Sequence, residues 1–364
     1  MGEAAAFSDR TARATELRVT VVIVNYNSGG WLGRTLKRLA LQSFRNFEIL
    51  VVDNGSEDES EAVCARYHRV RLLRAGRNLG FAAANNLAVA EARSEWVALL
   101  NPDAPPHRRW LEYLLRETRQ RPDFRIFGSR QVNAANPRLL DGNGDDLSAY
   151  GVAWRRGYLR RRTPELVAPR SPFGVCGAAL MVRKADYQAL GGFDERFFCY
   201  VEDMDFCYRA SLRGWMSWQA SKAIVYHASG ACSRSKHNEF AIYHGYRNLV
   251  WMSIKSAPAW VLPVALFGHV VLTLIKSIAT KSRDARGAYL RGLRDGWLQS
   301  APFWRERRIL QRSRAVSGLH VARRLTWNPL AIPTRWILKD GPPRFRKQKR
   351  EAKRQAKRNG REPE

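Results

Sequence analysis

The sequence predicts an α/β fold, a mostly parallel sheet flanked by helices, on three observations. Short apolar runs, VTVVIV at 19–24, FEILVV at 47–52 and WVALL at 96–100, read as strands buried on both faces. Segments of helical periodicity alternate with them, so the strands join through crossovers. Each run closes on a polar turn (NYNSGG, DNG, NPD), the place where open parallel sheets bind ligands.

Taken in order, Trp31, Leu32, Leu36, Leu39 and Ala40 recur at helical spacing through Leu41 and join the first two strands as a βαβ unit. Ser56 is the expected N-cap of a helix to about Tyr67, with Glu57, Asp58 and Glu59 in its first turn. A strand at 70–73, a helix at about 81–92 and the strand at 96–100 complete the first half. After a helix at about 108–119 the pattern loosens, and 133–172, rich in Gly, Asn, Asp, Pro and Arg, reads as hairpins and loops over a site. A strand at 177–182 (GAALMV) and a break at Gly191-Gly192 follow. An aromatic, acidic stretch from Phe193 to Phe206, a helix to about Leu212 and a strand near 223–226 close the pattern. No repeat of solenoid period is visible.

A content of 45% hydrophobic and 26% charged residues excludes wholesale disorder and a multi-span membrane architecture. The charge is uneven: 62 Lys and Arg face 33 Asp and Glu, and residues 276–364 hold 25 bases against 7 acids, which is +18 of the net +29. Such a tail suits a polyanion, either nucleic acid or an anionic membrane leaflet. The run from Arg344 to Arg361 has ten bases in eighteen residues but only Phe345 as an aromatic, so no nucleic acid is expected. Five scattered cysteines (Cys64, Cys176, Cys199, Cys207, Cys232) without a CxxC pair fit a reducing compartment. The first 17 residues lack the apolar core of a signal peptide, which places the N-terminus in the cytoplasm.

The segment from Ala257 to Ile275 has 19 residues without Asp, Glu, Lys or Arg, near the roughly 20 of a spanning helix, but contains Pro258, Pro263, Gly268 and His269. A span would separate the basic tail from the rest of the chain, against the expected excess of bases on cytoplasmic segments. The expectation is monotopic attachment, with Tyr289 to Trp336 on anionic headgroups; the alternative is a core helix with a solvated tail.

Three acidic clusters follow strands: Asp53 with Asp58, Asp103, and Glu202 with Asp203 and Asp205. Each alone suits a solvated loop. Together they gather at one crevice, because a crossover sheet brings the carboxyl ends of its strands to one edge.

The strings VVIVNYNSGGWL, VVDNGSED, NLGFAAANN, LLNPDA, GGFDERFFCYVEDMDFCYR and VYHASG, in that order over about residues 18–250, resemble the family 2 inverting glycosyltransferases, most closely the rhamnosyltransferase-like members of bacterial polysaccharide biosynthesis. The resemblance implies a GT-A fold with a nucleotide-binding half (18–105) and an acceptor half (106–250). A flexible N-terminus (1–17), a membrane-associating helical region (251–340) and a disordered basic tail (341–364) would surround it. It implies a nucleotide-diphosphate sugar donor, dTDP-rhamnose or a UDP sugar, and a glycan or polyprenyl-linked glycan acceptor at the cytoplasmic face of the membrane.

By the same resemblance Asp53 contacts base or ribose over a floor of Asn25 and Asn27, and Asn78, Gly80 and Asn85 line nucleotide and sugar. The family's DxD motif stands here as Asn101-Pro102-Asp103, one carboxylate short. Asp103 would bind Mg²⁺ or Mn²⁺ bridging the phosphates, with His227 as a further ligand or, alternatively, a structural histidine. Asp203, of the pair Glu202-Asp203, would be the catalytic base. Glu202 and Asp205 either raise its pKa or serve as cap and as partner to Arg209. Tyr243 to Asn248 matches a YHxxRN stretch whose Arg247 meets phosphate or pairs with a carboxylate. A nucleotidyltransferase is the alternative enzyme, but no Lys-bearing phosphate loop follows the first strand.

Overall fold

Strand β1 (Val19–Asn25) is buried along its whole length, so both of its faces must be covered and its polar end must emerge at an edge. The computed structural model describes residues 18–229 and 238–332; the N-terminal segment 1–17, Cys232, Trp336 and the run from Arg344 to Arg361 lie outside the described residues. Helix α1 (Gly29–Ala40) turns Leu32, Leu36 and Leu39 inward and leads to β2 (Phe47–Asp53). Helix α2 (Ser60–Ala65), β3 (Val70–Arg74), α3 (Gly80–Glu91), β4 (Trp96–Leu100) and α4 (Trp110–Gln120) follow.

The sheet runs β3-β2-β1-β4-β9-β5-β10, where β5 is Phe124–Asn133, β9 Ala179–Arg183 and β10 Met216–His227. The pairs β2–β3, β1–β2, β1–β4 and β5–β10 are parallel, and β9 is antiparallel to both of its neighbours. A short strand β6 (Leu140–Gly142) pairs with β5, and β7 (Asp145–Leu147) with β8 (Ala153–Arg155) makes the hairpin expected in the loop-rich region. Two apolar clusters cover the two faces, one under α1 and α4, the other under α3, Phe193 and Phe206.

Strand β5 lies where the sequence pattern loosens. Its sequence FRIFGSRQVN is not a continuous apolar run, because Ser129 accepts a hydrogen bond from the buried Trp110 indole at 2.8 Å. Gly128 has no room for a Cβ, which would fall 2.5 Å from Val175 Cγ1. The expected N-cap at Ser56 is corrected: α2 starts four residues later. Ser56 Oγ instead accepts from Asn25 Nδ2 at 3.1 Å and from the Asn27 amide at 3.0 Å. Asp58 caps a different helix, accepting the Gly29 amide at 2.9 Å.

After α5 (Pro164–Val167), α6 (Lys184–Ala189) and α7 (Glu202–Leu212), the chain forms α8 (Asn238–Ser256), α9 (Leu262–Ala279), α10 (Arg283–Leu298), α11 (Ala301–Arg312) and α12 (Gly318–Ala322). Residue 250, the expected boundary, falls inside α8. Leu249, Trp251 and Met252 share one core with Phe197, Met204 and Tyr208, so the helical extension packs directly on the segment bearing Asp203. Buried Lys255 extends this joint, reaching Asp194 at 2.6 Å, Asp205 at 3.0 Å and Glu306 of α11 at 3.4 Å.

Candidate active site

The polar ends of β1 and β2 lie side by side, Asn25 opposite Asp53 in register. Asn25 is fully buried, its Nδ2 held by Ser56 and by Ser60 Oγ at 2.8 Å, while its Oδ1 has no partner. Asn27 takes a left-handed backbone (φ +49°) and accepts the Glu57 amide at 2.8 Å. The half-buried Asp53 carboxylate faces the Ser56 amide at 3.4 Å. Asn78 Oδ1 accepts from the Gly80 amide at 2.9 Å and from Asn54 Nδ2 at 3.0 Å, so Asn54 joins this cradle without having been anticipated. Gly80 (φ +84°) starts α3 where a Cβ would meet the Phe198 ring at 2.5 Å. Asn85 is buried and donates to Phe81 O in its own helix. The next residue, Asn86, bridges instead to Phe193 O at 2.8 Å and Glu195 Oε1 at 3.0 Å.

The NPD turn follows β4. Thr35 Oγ1 donates to Pro102 O at 2.6 Å, and the Oδ1 of Asn101 is buried without a hydrogen-bond partner. Asp103 is buried, with its Oδ1 3.4 Å from His227 Nε2 at the end of β10. The other ring nitrogen, Nδ1, lies 2.7 Å from Asp141 Oδ2, which also receives Arg155 Nη1 and Ser229 Oγ at 2.8 Å each. Burial alone would lower the His227 pKa, but Asp103 and Asp141 outweigh it and raise it.

Two ligands bonded at about 2.1 Å to one hard cation stand roughly 3 Å apart, so Asp103 Oδ1 and His227 Nε2 fit a shared divalent ion. A ligating histidine characteristically turns its second nitrogen to a carboxylate, and Asp141 supplies one. A second cluster, Asp145, Cys176 and Asp203, has its ligand atoms within 4.8 Å of one another. Its thiol is a soft ligand, ill matched to a hard cation, and burial pushes the Cys176 thiol up to about 12 and Asp145 up to about 8.

Asp203 is the second residue of α7. Its Oδ2 accepts the Gly177 amide at 2.7 Å and its Oδ1 the Met204 amide at 2.8 Å. Burial raises its pKa against these donors and Arg155. Glu202 is buried, with Oε2 unpartnered, and burial plus the adjacent Asp203 charge hold it well above the usual carboxylate range. Asp205 follows the pairing alternative, receiving Arg209 Nε at 2.8 Å. Arg247 does not pair with a carboxylate among the described ion pairs: its Nη2 donates to the carbonyls of Arg196 and Phe197, and its guanidinium lies 4.1 Å from the Trp251 ring.

Arg155, Asp141 and Asp145 are the site residues that the sequence reading missed. They sit in and beside a three-stranded set of very short strands, whose only sequence signal is a run of acids and bases among glycines. Among the described residues Cys64, Cys176, Cys199 and Cys207 are free thiols.

At one edge of the open sheet lie amide-lined strand ends, a carboxylate and histidine pair, and the half-buried Asp203 carboxylate. Residues 20–190 match the family described as Glycosyl transferase family 2. A curated relative, the N-acetylglucosaminyl-diphospho-decaprenol L-rhamnosyltransferase of Mycobacterium tuberculosis, is 29% identical over 301 residues, 72% of this chain and 94% of that protein. The low-salt glycan biosynthesis hexosyltransferase Agl10 of Haloferax volcanii is 25% identical over 239 residues, 63% of this chain and 73% of its own. The crystal structure of S. aureus TarS 1-349 superposes with a TM-score of 0.51 at 16% identity, covering 81% of this chain and 90% of that one, which speaks for the fold. These similarities support a nucleotide-sugar-dependent glycosyltransferase of family 2, related to rhamnosyltransferases and of GT-A fold.

The raised pKa of Asp145 makes stability depend on pH. The folded state holds the proton to about pH 8 and the unfolded state loses it near 3.8, so this contribution is full below pH 3.8 and is lost as pH rises toward 8. Asp145→Asn mimics the protonated form, so its melting temperature should gain on the wild type between pH 5 and pH 8. A constant difference across that range would show that the carboxyl is not held protonated.

Proposed function

We propose that the protein transfers a sugar, with inversion, from a nucleotide-diphosphate donor to a lipid-linked glycan acceptor, with Asp203 as the general base. dTDP-rhamnose is the favoured donor, by kinship with the rhamnosyltransferase, and a UDP sugar is the alternative. The observation that carries the reading is the placement, at one sheet edge, of the Asp103–His227 couple and the half-buried Asp203. Asn25, Asn27, Asp53, Asn78 and Gly80 form the nucleotide cradle, and the unpartnered oxygens of Asn25 and Asn101 are free to accept donor hydroxyl or N–H groups.

In the reaction the acceptor O–H bond breaks and its proton passes to Asp203. The acceptor oxygen bonds to the anomeric carbon while the bond from that carbon to the diphosphate oxygen breaks, releasing nucleoside diphosphate. Asp203 spends one lone pair on each of its two backbone donors and retains others for the proton. A raised pKa brings a carboxylate nearer to the ideal for general-base catalysis at neutral pH. A divalent cation held by Asp103 and His227 would offset the charge developing on the departing diphosphate.

The extension supports attachment to an anionic membrane surface rather than a span. One face of α9 packs on the protein through Ala265, Gly268, His269 and Thr273; His269 Nε2 meets Tyr246 O at 3.0 Å, and only 33% of the helix is buried. The opposite face exposes Phe267 (73%), Val271, Leu274, Ile275 and Ile278 (77%), spaced as one helical stripe. Exposed bases follow it at Lys281, Arg283, Arg294, Arg305 and Arg308, complementary to acidic headgroups.

Asp203→Asn should cut transfer by about 100-fold to 10,000-fold with donor binding nearly unchanged, since the amide keeps the shape but takes no proton. Turnover at a tenth of the wild-type rate or better would remove Asp203 from this role. Exhaustive chelation should abolish turnover and added Mn²⁺ or Mg²⁺ restore it; full activity in chelator would dismiss the metal. In flotation assays the full chain should rise with phosphatidylglycerol vesicles and not with phosphatidylcholine alone, and the double variant F267D/I278D should stay behind. Equal recovery of variant and wild type would refute the α9 stripe as the membrane contact.

A further inference from the structure

The five residues before the proposed base have an unusual backbone. Phe198 (φ +64°, ψ −65°) is the centre of a positive-φ γ-turn, closed by the Cys199 amide on Phe197 O at 2.8 Å. Tyr200 (φ +66°) and Val201 (φ +73°) are also left-handed, and a β-branched residue there is a conformational outlier. Val201 is the N-cap of α7, its carbonyl accepting the Asp205 amide at 2.8 Å, so this backbone sets the direction in which α7 presents Asp203.

Such a segment persists only when its surroundings over-determine it. Each of its carbonyls is pinned. Fully buried Asn248 of α8 donates from Nδ2 to Phe197 O at 3.0 Å, Cys199 O at 3.0 Å and Tyr200 O at 2.7 Å. Phe198 O is taken from the other side by the Ala82 amide of α3 at 3.0 Å. Arg247 Nε donates to Asn248 Oδ1 at 3.0 Å, fixing which way the amide points. His244 stacks on the Phe198 ring, with centroids 5.6 Å apart.

We propose that Asn248 is a positioning residue for the transfer reaction: its side-chain amide holds residues 197–201 in the left-handed conformation that aims Asp203, and so makes the helical extension part of the active site. The inference rests on the reading of Asp203 as the base. No other side chain reaches three carbonyls of that segment among the described hydrogen bonds; Asn248 bonds to none of the cradle residues, and the segment meets the cradle where the Phe198 ring packs on Gly80.

The test uses the full chain with a polyprenyl-diphosphate-linked glycan as acceptor and reads nucleoside diphosphate released from a panel of dTDP- and UDP-sugars, with wild type and D203N as references. Asn248→Ala should lower kcat by about tenfold to a hundredfold, as expected for a misplaced catalytic group, with donor KM within about twofold. Adding Val201→Gly, which removes the steric cost of positive φ, should restore kcat several-fold over N248A alone. Unchanged kcat in N248A, a parallel loss in donor binding, or a double variant no better than N248A would overturn the proposal. Should N248A fail to fold, the double variant decides: folding with activity supports the clamp, and failure of both makes Asn248 a folding residue and overturns it. A wild type that releases no diphosphate sinks the transferase reading and this inference together. A wild type that turns over, with D203N inactive and N248A intact, sinks this inference alone.

Discussion

The crevice is built around the need to keep buried carboxylates compatible with one another. Buried Asp103, Asp141, Asp145 and Glu202 and half-buried Asp203 crowd one sheet edge, where water screens them poorly. Charge of that density is tolerated only if some groups keep their protons and others find cations. Burial leaves Asp145 and Glu202 neutral, while Arg155 and His227 serve Asp141 and Asp103. The division sets the Asp103–His227 pair, braced by Asp141, apart from Asp203, whose carboxyl pKa is raised above its ordinary value by burial.

Joining the two halves of the sheet demands a second set of buried polar contacts. Asn86 reaches from α3 to Phe193 and Glu195, Gly80 admits the Phe198 ring, and Ala82 takes the Phe198 carbonyl. On the far side Lys255 draws Asp194, Asp205 and Glu306 together, with Arg196 and Arg209 completing a largely buried network. The segment from Phe193 to Val201 is thereby held between the nucleotide cradle and the C-terminal helices. Its backbone strain is sustained from both sides, and the geometry of Asp203 depends on elements more than forty residues away in sequence.

The first half of the fold was legible in the sequence because its strands are buried on both faces. A strand with no solvent face must be apolar throughout, so VTVVIV, FEILVV and WVALL announce themselves, and the polar turns after them mark the ligand edge. Asp53 ends β2, Asp103 follows β4 and His227 ends β10, the strand-end positions that this logic gives them. Strand β5 escaped notice because glycine, serine and arginine serve the close approach of its neighbours rather than a hydrophobic face.

What the sequence determined, then, is the order of elements and the residue types at the strand ends, because periodicity and apolar runs are local properties of the chain. What only the tertiary structure decided is partnership. Asp58 caps α1 as well as its own helix, Asn86 rather than Asn85 crosses between the halves, Arg247 takes backbone carbonyls, and Asp141 stands behind His227 from 86 residues away. None of these follows from spacing along the chain. Each depends on which buried donor or acceptor was left to satisfy once the sheet had closed around it.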